Sequence, residues 1–422
     1  MEKTNTRTLV GVFAFCFGAM AMMLTMAVVG YIIASYGAQG VSPTLVTSLM
    51  TVPSLVGMIF AFFVGTINKK VSTKALVLFT QICAFIYCMV FLTLGGKVSI
   101  YVLLATAALV GFGAGANFTL LAAFMATAVP DPQKRATITG YASAAMNLSG
   151  VIFSTIGGKL AANGMLSDPV NGWTKGYVLG FITLACIIIE IICLPGGQKA
   201  QDGPAPAGGQ KAKGGVPAIV YLISIHYLVW FCFMYCYGLN ISDYIINVHK
   251  LGDGGTAGIA TAMVTVGGVL AGLLYGQYSK ITKSQNVPIM MAMTAVGMLL
   301  CLLFPSIPGV VVGGFLCGFA MSGANPYIMM LFGQICPPSQ LTQAMSIFSG
   351  CMNVGMFIAL YVLNGLSSLI FGANYVLDNK FQLASIMCAV CAVIGIFIYA
   401  AAGRQAKKAM AAAAQAPDQP AQ

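Results

Sequence analysis

Four asparagine side chains interrupt long apolar stretches of the sequence, and they form two matched pairs. Asn117 ends a Gly-Ala-Asn triplet that returns 208 residues later at Asn325, and the Met-Asn pair ending at Asn147 returns 206 residues later at Asn353. A carboxamide offers two donors and one acceptor oxygen, which suits the neutral polar groups of a small molecule. Buried asparagines also join helices in membranes, for about 1 kcal/mol or less each. We predict that all four bind substrate, with helix joining as the alternative.

Two other apolar stretches carry polar or adaptable side chains. The seventh apolar stretch is the most polar of the chain and includes Tyr237 and Asn240, and the first holds Thr25 and Met26 among several methionines. Methionine lines adaptable binding surfaces, although it is also ordinary apolar filler. We predict that these four side chains contribute to the same substrate site.

The seventh apolar stretch also contains two titratable groups, Asp243 and His226. Asp243 follows Pro217 by 26 residues, which is ~39 Å along an ideal helix and places the acid near the outer end of the stretch. It fits an outer gate or a proton site, and equally an interfacial acid near Lys250. Histidine can titrate near neutral pH, although a lone helical histidine often serves packing. We predict coupling or gating roles for Asp243 and His226.

The composition excludes a water-soluble protein. The chain of 422 residues is 59% hydrophobic and only 7% charged, with a mean hydropathy of +0.90, whereas soluble domains carry about 25% charged residues. Backbone polar groups must be satisfied within the bilayer, and the long apolar stretches indicate helices instead of the short alternating strands of a barrel. The sequence therefore predicts an all-α polytopic membrane protein.

Twelve stretches are long enough to cross the ~30 Å hydrocarbon core, which takes roughly 20 apolar residues. The predicted spans are 9–35, 44–67, 74–95, 99–129, 135–161, 174–194, 217–247, 255–279, 287–305, 308–336, 340–370 and 381–403. Fifteen of the twenty lysines and arginines fall at one set of alternate span ends and five at the other. This asymmetry predicts that both termini are cytoplasmic. The net charge of +11 thus sets topology and indicates no nucleic-acid partner.

The chain divides into two related halves. The matched motifs, about 200 residues apart, indicate a duplicated unit, and the stretch 195–216 is rich in glycine and proline, which is typical of a flexible linker. We predict a six-helix half over 1–194, a cytoplasmic linker over 195–216, a second six-helix half over 217–403 and a cytoplasmic tail over 404–422.

Six spans, a basic linker and six further spans resemble the major facilitator superfamily, whose two halves are related by an axis along the membrane normal. The resemblance implies twelve transmembrane helices in two pseudo-symmetric six-helix halves. It also implies a central cavity lined by spans one, four, seven and ten, with Asn117 and Asn325 near the midplane and Asn147 and Asn353 beside it.

The loop motif of that family is only partly present. The family's loop between spans two and three reads Gly-x-x-x-Asp-Arg-x-Gly-Arg-Lys, whereas this chain has Gly65-x-x-x-Lys69, with a lysine where the acid belongs. The matching loop of the second half reads Gly276-x-x-x-Lys280. The resemblance implies gating roles for Lys69 and Lys280.

Several residue types are absent where other functions would need them. None of the three arginines lies in the interior of a predicted span, which disfavours phosphorylated or dicarboxylate substrates. There is no Gly-x-x-x-x-Gly-Lys-Ser/Thr motif for ATP. No acid–base constellation supports an enzyme, and Cys388 and Cys391, at metal-site spacing, lie inside a span without polar company. We expect no cofactor and no metal.

These observations predict a secondary active transporter that moves a small neutral, amphipathic or weakly charged organic solute by alternating access. Its partners would be the solute, protons and the lipid bilayer, and we expect a monomer in a bacterial cell membrane. A proton-coupled drug or metabolite efflux antiporter is the first alternative. A receptor or scaffold that keeps the fold without transport is the second.

Overall fold

The computed structural model describes residues 5–129, 132–197, 216–336 and 338–415. The described residues form fifteen α-helices joined by short turns, with no strand among them. Most of the predicted linker, the end of the predicted tail and the side chain of Lys69 lie outside this described part.

The helices of the first half follow the predicted spans closely. They are α1 (Thr6–Gly18), α2 (Met23–Gly37), α3 (Pro43–Thr47), α4 (Val52–Lys70), α5 (Thr73–Leu94), α6 (Ile100–Ala128), α7 (Pro132–Ser167) and α8 (Gly180–Cys193). Side-chain caps set several starts: the Ser72 hydroxyl accepts from the Ala75 N–H at 3.3 Å, which satisfies a donor that the helix leaves free.

The second half repeats this pattern. Its helices are α9 (Ala218–Met234), α10 (Cys236–Asp243), α11 (Gly254–Thr282), α12 (Asn286–Leu303), α13 (Ile307–Ile335), α14 (Pro338–Phe371) and α15 (Leu377–Gln415). The Asp253 carboxylate caps α11 by accepting from the Thr256 N–H at 3.0 Å. α10 continues into a wide helical turn, Tyr244–Val248, before the chain reverses.

The predicted fold class is confirmed. Ten stretches of the described residues are long and apolar enough to cross a membrane. One of them, Gly254–Leu303, contains two helices, α11 and α12, and the 36-residue α7 is not among the ten. Every predicted span coincides with a helix or a group of helices, and the total of twelve crossings stays a prediction.

The helices run alternately up and down, so their ends form two faces. We call the face that carries Arg7, Lys70, Lys283 and Arg404 the basic face, and the other the opposite face. The loop at Asp168, between α7 and α8, lies at the opposite face.

Repeated glycines let backbones touch at equivalent places in the two halves. α4 packs on α6, and a Cβ built on Gly111 would lie 2.4 Å from the carbonyl oxygen of Pro53. α11 packs on α13, and a Cβ on Gly318 would lie 1.8 Å from the carbonyl oxygen of Val264. Such close approach is typical of small residues at membrane helix crossings. The glycines of the repeated motif therefore serve packing.

Candidate functional site

The first predicted span is interrupted, which the sequence did not indicate. α1 and α2 are separated by a turn over Ala19–Met22. The carbonyl oxygen of Phe15 accepts from Gln81 Nε2 at 2.8 Å, and that of Phe17 accepts from the Ser149 hydroxyl. The last carbonyls of a helix lack intrahelical partners, so side chains from α5 and α7 stabilise the end of α1 inside the bundle.

A small polar cavity lies beside this interruption. Its volume is about 10 Å³, and its lining residues are Ala19, Thr80, Gln81, Ala84, Val110, Gly113 and Asn117. Gln81 Oε1 is buried without a hydrogen-bond partner in the described part of the chain. The carboxamide of Asn117 is 8% exposed and forms no hydrogen bond with another described residue. The cavity holds about one water, and no charged side chain of the described residues lines it.

Asn325 has a defined partner in the second half. Its Oδ1 accepts from the Tyr227 hydroxyl at 2.7 Å, which joins α13 to α9. The Tyr227 ring stacks on Phe231 at 5.4 Å between centroids and lies 4.7 Å from the ring of Phe348. The amide oxygen of Asn325 is thus oriented by a buried aromatic group, while its Nδ2 donates to no described residue.

The other two asparagines have different surroundings. Asn353 Nδ2 donates to the carbonyl oxygen of Ser349 in its own helix at 2.9 Å, and Asn147 is half-buried on α7. Among the described residues, no hydrogen bond joins any two of the four predicted amides. Substrate binding by the four residues stays a prediction.

Two other predicted site residues lie in the packed interior. Thr25 is fully buried, and its hydroxyl is hydrogen-bonded to those of Tyr87 and Tyr177, the latter at 2.7 Å. The Tyr237 hydroxyl donates to the carbonyl oxygen of Val310 at 2.6 Å. These contacts join helices within each half, and they favour packing over a direct contact with solute.

Asn240 and Met26 lie close to the contact between the halves. Asn240 Nδ2 donates to the carbonyl oxygen of Cys236, one turn earlier, at 2.9 Å. The methyl group of Met26 lies 2.5 Å from where a Cβ on Gly238 would be. Met26 therefore fills the space between α2 and α10.

Asp243 belongs to a hydrogen-bonded contact between the halves near the opposite face. Asn247 Nδ2 donates to Asp243 Oδ1 at 2.6 Å and to the carbonyl oxygen of Gly30 at 2.9 Å. The Ser242 hydroxyl donates to the carbonyl oxygen of Ala27 at 2.9 Å and accepts from the Gly30 N–H at 3.1 Å. We call this group of five residues the closing contact. Asn247 was not predicted from the sequence.

Two further contacts join the halves near the same face. Where α7 crosses α11, a Cβ on Gly258 would lie 2.2 Å from the carbonyl oxygen of Ser154. Asn364 Nδ2 on α14 donates to the Thr44 hydroxyl on α3 at 3.0 Å. Together with the closing contact, these interactions hold the halves together at the opposite face.

The remaining predicted coupling residues are apart from this contact. The His226 Nε2–H donates to the carbonyl oxygen of Cys391 at 3.0 Å, which joins α9 to α15. Its Nδ1 has no partner among the described residues. Lys280 is exposed and lines a larger cavity at the basic face. The Lys69 side chain lies outside the described residues, so its predicted role is not placed.

Comparisons with known proteins agree on one fold. A family model described as the Major Facilitator Superfamily matches residues 11–285 and 227–420. No curated protein matches the chain significantly.

Three solved structures are similar over nearly the whole chain. A D-xylose-proton symporter has a TM-score of 0.68 and 15% identity, covering 92% of this chain and 96% of its own. A bacterial homologue of the human lysosomal transporter Spinster, described as inward-facing and unoccupied, has a TM-score of 0.70 and 16% identity, with 100% of both chains covered. The nucleoside transporter NupG has a TM-score of 0.69 and 11% identity, covering 94% of this chain and 99% of its own.

Proposed function

Because the chain belongs to the major facilitator superfamily, we propose that it is a monomeric secondary transporter that moves a small neutral polar organic solute by alternating access. The two six-helix halves, 1–194 and 217–403, would rock about the membrane midplane, joined by the linker 195–216.

The proposal rests on the polar side chains beside the interruption of the first span, at a cavity that holds about one water in this closed state and would widen to admit a solute. Gln81 Oε1 has no described partner there, and the Asn117 carboxamide lies next to it. An amide oxygen and a carboxamide without partners suit a solute that both donates and accepts hydrogen bonds. Interrupted helices supply binding sites in several transporter folds because the break exposes backbone groups within the membrane.

The contacts at the opposite face support a state that is closed on that side. The basic face would be cytoplasmic by the positive-inside rule, so this state would admit solute from the cytoplasm. The similar structure described as inward-facing and unoccupied is consistent with this proposal. Breaking the closing contact would open the site to the other side.

The solute class rests on charge. All three arginines lie outside the helices' central regions, and no charged group lines the polar cavity. A site for a phosphorylated or dicarboxylate anion would need a buried cation. Two of the similar structures are a D-xylose-proton symporter and a nucleoside transporter. D-xylose and nucleosides are neutral polar solutes, and we propose the same broad class for this chain.

We assign gating to Asp243, because its carboxylate holds Asn247 in the closing contact. Proton coupling through this acid would link protonation to opening, since a neutral carboxyl accepts the Asn247 bond less strongly. His226 is the second proton site in the proposal. Lys69 and Lys280 would contribute to gating at the loops of the basic face.

A thermal-shift screen of purified protein tests the solute class. A ligand that binds only the folded state raises stability by about 2.7 kcal/mol at a hundredfold excess over its dissociation constant. We expect neutral polar compounds to raise the melting temperature of the wild type and of Asn163→Ala, which changes an exposed asparagine at the far end of α7. The same compounds should have no effect on Asn117→Ala. Shifts confined to dicarboxylates or phosphates would overturn the proposal.

A further inference from the structure

A second cavity lies away from the polar cavity, at the basic face of the second half. It has a volume of about 280 Å³ and lies between the basic-face ends of α11, α13 and α15. This volume is close to the lower end of small-molecule sites, roughly 300 Å³. Six of its lining residues carry polar groups that matter here: Lys280, Lys283, Lys407, Tyr275, Ser284 and Gln334. We call this cavity the lysine pocket.

Three positive charges meet at the lysine pocket without a negative partner. Lys280 lies in the last turn of α11, Lys283 follows in the next short turn, and Lys407 comes from α15. None of the three forms an ion pair with a described residue, and no acidic residue lines the pocket. Cations held together repel one another unless an anion lies between them. The pocket is therefore complementary to an anion.

The neutral lining adds donors to these charges. The Tyr275 hydroxyl is buried and has no hydrogen-bond partner among the described residues. Ser284 and the amide of Gln334 line the same space. A buried hydroxyl without a partner is costly, and an anionic oxygen in the pocket would satisfy it.

The backbone at Lys283 is unusual. Its φ angle is +48°, a left-handed conformation that residues other than glycine rarely adopt. Conformations of this kind cost energy and are concentrated at functional sites. This turn joins α11 to α12, and Lys283 lines the lysine pocket together with Lys280.

One wall of the pocket is apolar and reaches the membrane-facing surface. Leu331 and Met330 of α13 line it, and Met330 is 46% exposed. Ala406 of α15 completes this wall. A ligand with an anionic head and an apolar body would fit both parts of the pocket.

We propose that the lysine pocket binds a phosphate group, carried by an anionic phospholipid of the basic-face leaflet. Lysine binds phosphate as a point charge, and the location at the ends of membrane helices presents the pocket to lipid head groups. A free phosphate shares the same chemistry, so the experiment separates the two sources.

The test uses the full chain in nanodiscs of phosphatidylcholine alone or with phosphatidylglycerol, and counts retained lipid by native mass spectrometry. The pocket variant is Lys280→Gln, Lys283→Gln, Lys407→Gln. The control variant, Lys70→Gln, Arg404→Gln, Lys408→Gln, removes three exposed charges from the same face but none that lines the pocket. Tyr275→Phe removes only the hydroxyl, and single Lys280→Gln and Lys407→Gln variants serve if the triple variant does not fold.

We expect one or more phosphatidylglycerol molecules to stay bound to the wild type and to the control variant. Binding should fall at least tenfold in the pocket variant and about threefold in Tyr275→Phe. Added inorganic phosphate that stabilises the wild type in phosphatidylcholine, but not the pocket variant, would support the site and name a soluble source. Equal lipid retention by the pocket and control variants, or no preference for phosphatidylglycerol, would overturn the proposal.

Discussion

Asn247 Nδ2 donates a hydrogen bond to the carbonyl oxygen of Gly30 at 2.9 Å, although the two residues are 217 positions apart in the chain. The same amide donates to Asp243 at 2.6 Å. One side chain therefore joins the first half to Asp243 of the second. Because the acceptor on α2 is a backbone carbonyl, the bond depends on the approach of the helices themselves.

Replacing this amide should weaken the closed state at the opposite face. Asn247→Ala removes the hydrogen bond to the Gly30 carbonyl, the one bond of this side chain that crosses between the halves, worth about 0.5–1.5 kcal/mol. The fraction of molecules open at the opposite face should rise by roughly 2–10-fold. Modification of a cysteine placed at Ser35, a buried residue of α2 near the opposite face whose hydroxyl has no described partner, measures that opening.

The control for this experiment is Ser224→Ala, a buried change whose hydroxyl bonds only to Val220 of its own helix. It should leave the modification rate unchanged. An Asn247→Ala protein that is modified no faster than the wild type would show that the contact does not hold the halves together.

The crossing of α7 and α11 can be tested by comparing two glycine substitutions on the same helix. Gly258→Ala would place a Cβ 2.2 Å from the carbonyl oxygen of Ser154, whereas a Cβ at Gly272 of the same helix meets nothing within 4 Å. Overpacking costs about 1–3 kcal/mol. We expect Gly258→Ala to lower the melting temperature or favour the state open at the opposite face, and Gly272→Ala to do neither. Equal behaviour of the two variants would contradict this packing.

Helix positions were predictable because apolar length dominates the sequence. The bounds of α5, Thr73–Leu94, differ from the predicted 74–95 by one residue at each end. The repeated glycines were also informative, because Gly111 and Gly318 lie at equivalent backbone contacts. The apolar length of a helix and the repeated glycines can both be identified from the sequence without knowledge of how the helices pack.

The site was less predictable, because a nearly uniform apolar helix does not reveal which side faces inward. Thr25 resembled a cavity residue but bonds to Tyr87 and Tyr177 inside the first half. The interruption at Ala19–Met22 depends on Gln81, a polar residue brought from another helix. A single glutamine within an apolar span was the available signal, and Gln81 was not among the predicted site residues.

The role of Thr25 can be decided by comparing stability with affinity. Thr25→Val removes a hydroxyl that pairs with two buried tyrosines, which should cost about 1–3 kcal/mol of unfolding free energy. We expect a lower melting temperature and less than a twofold change in solute affinity. A tenfold loss of affinity at an unchanged melting temperature would instead place Thr25 in the substrate site.

Tyr227 should act on the solute through Asn325. Tyr227→Phe keeps the ring stacking but removes the donor to Asn325 Oδ1, so the carboxamide loses its fixed orientation. Solute affinity should fall by about 2–10-fold, which corresponds to one hydrogen bond. Titration calorimetry measures this change.

The matched control is Tyr221→Phe, because Tyr221 is an exposed tyrosine of the same helix. It should bind solute as the wild type does. If Tyr227→Phe also binds normally while Asn325→Ala does not, Asn325 acts without Tyr227.

Solute counterflow in proteoliposomes tests most directly whether the protein transports solute through the site at the interruption of the first span. It uses a compound identified by thermal shift. Wild-type protein and Asn163→Ala should exchange labelled for unlabelled solute, since Asn163 lies on the exposed surface. Asn117→Ala and Gln81→Ala should lose at least nine-tenths of the exchange while keeping the elution profile of folded protein. Full exchange by both cavity variants would contradict a substrate site at the interruption of the first span.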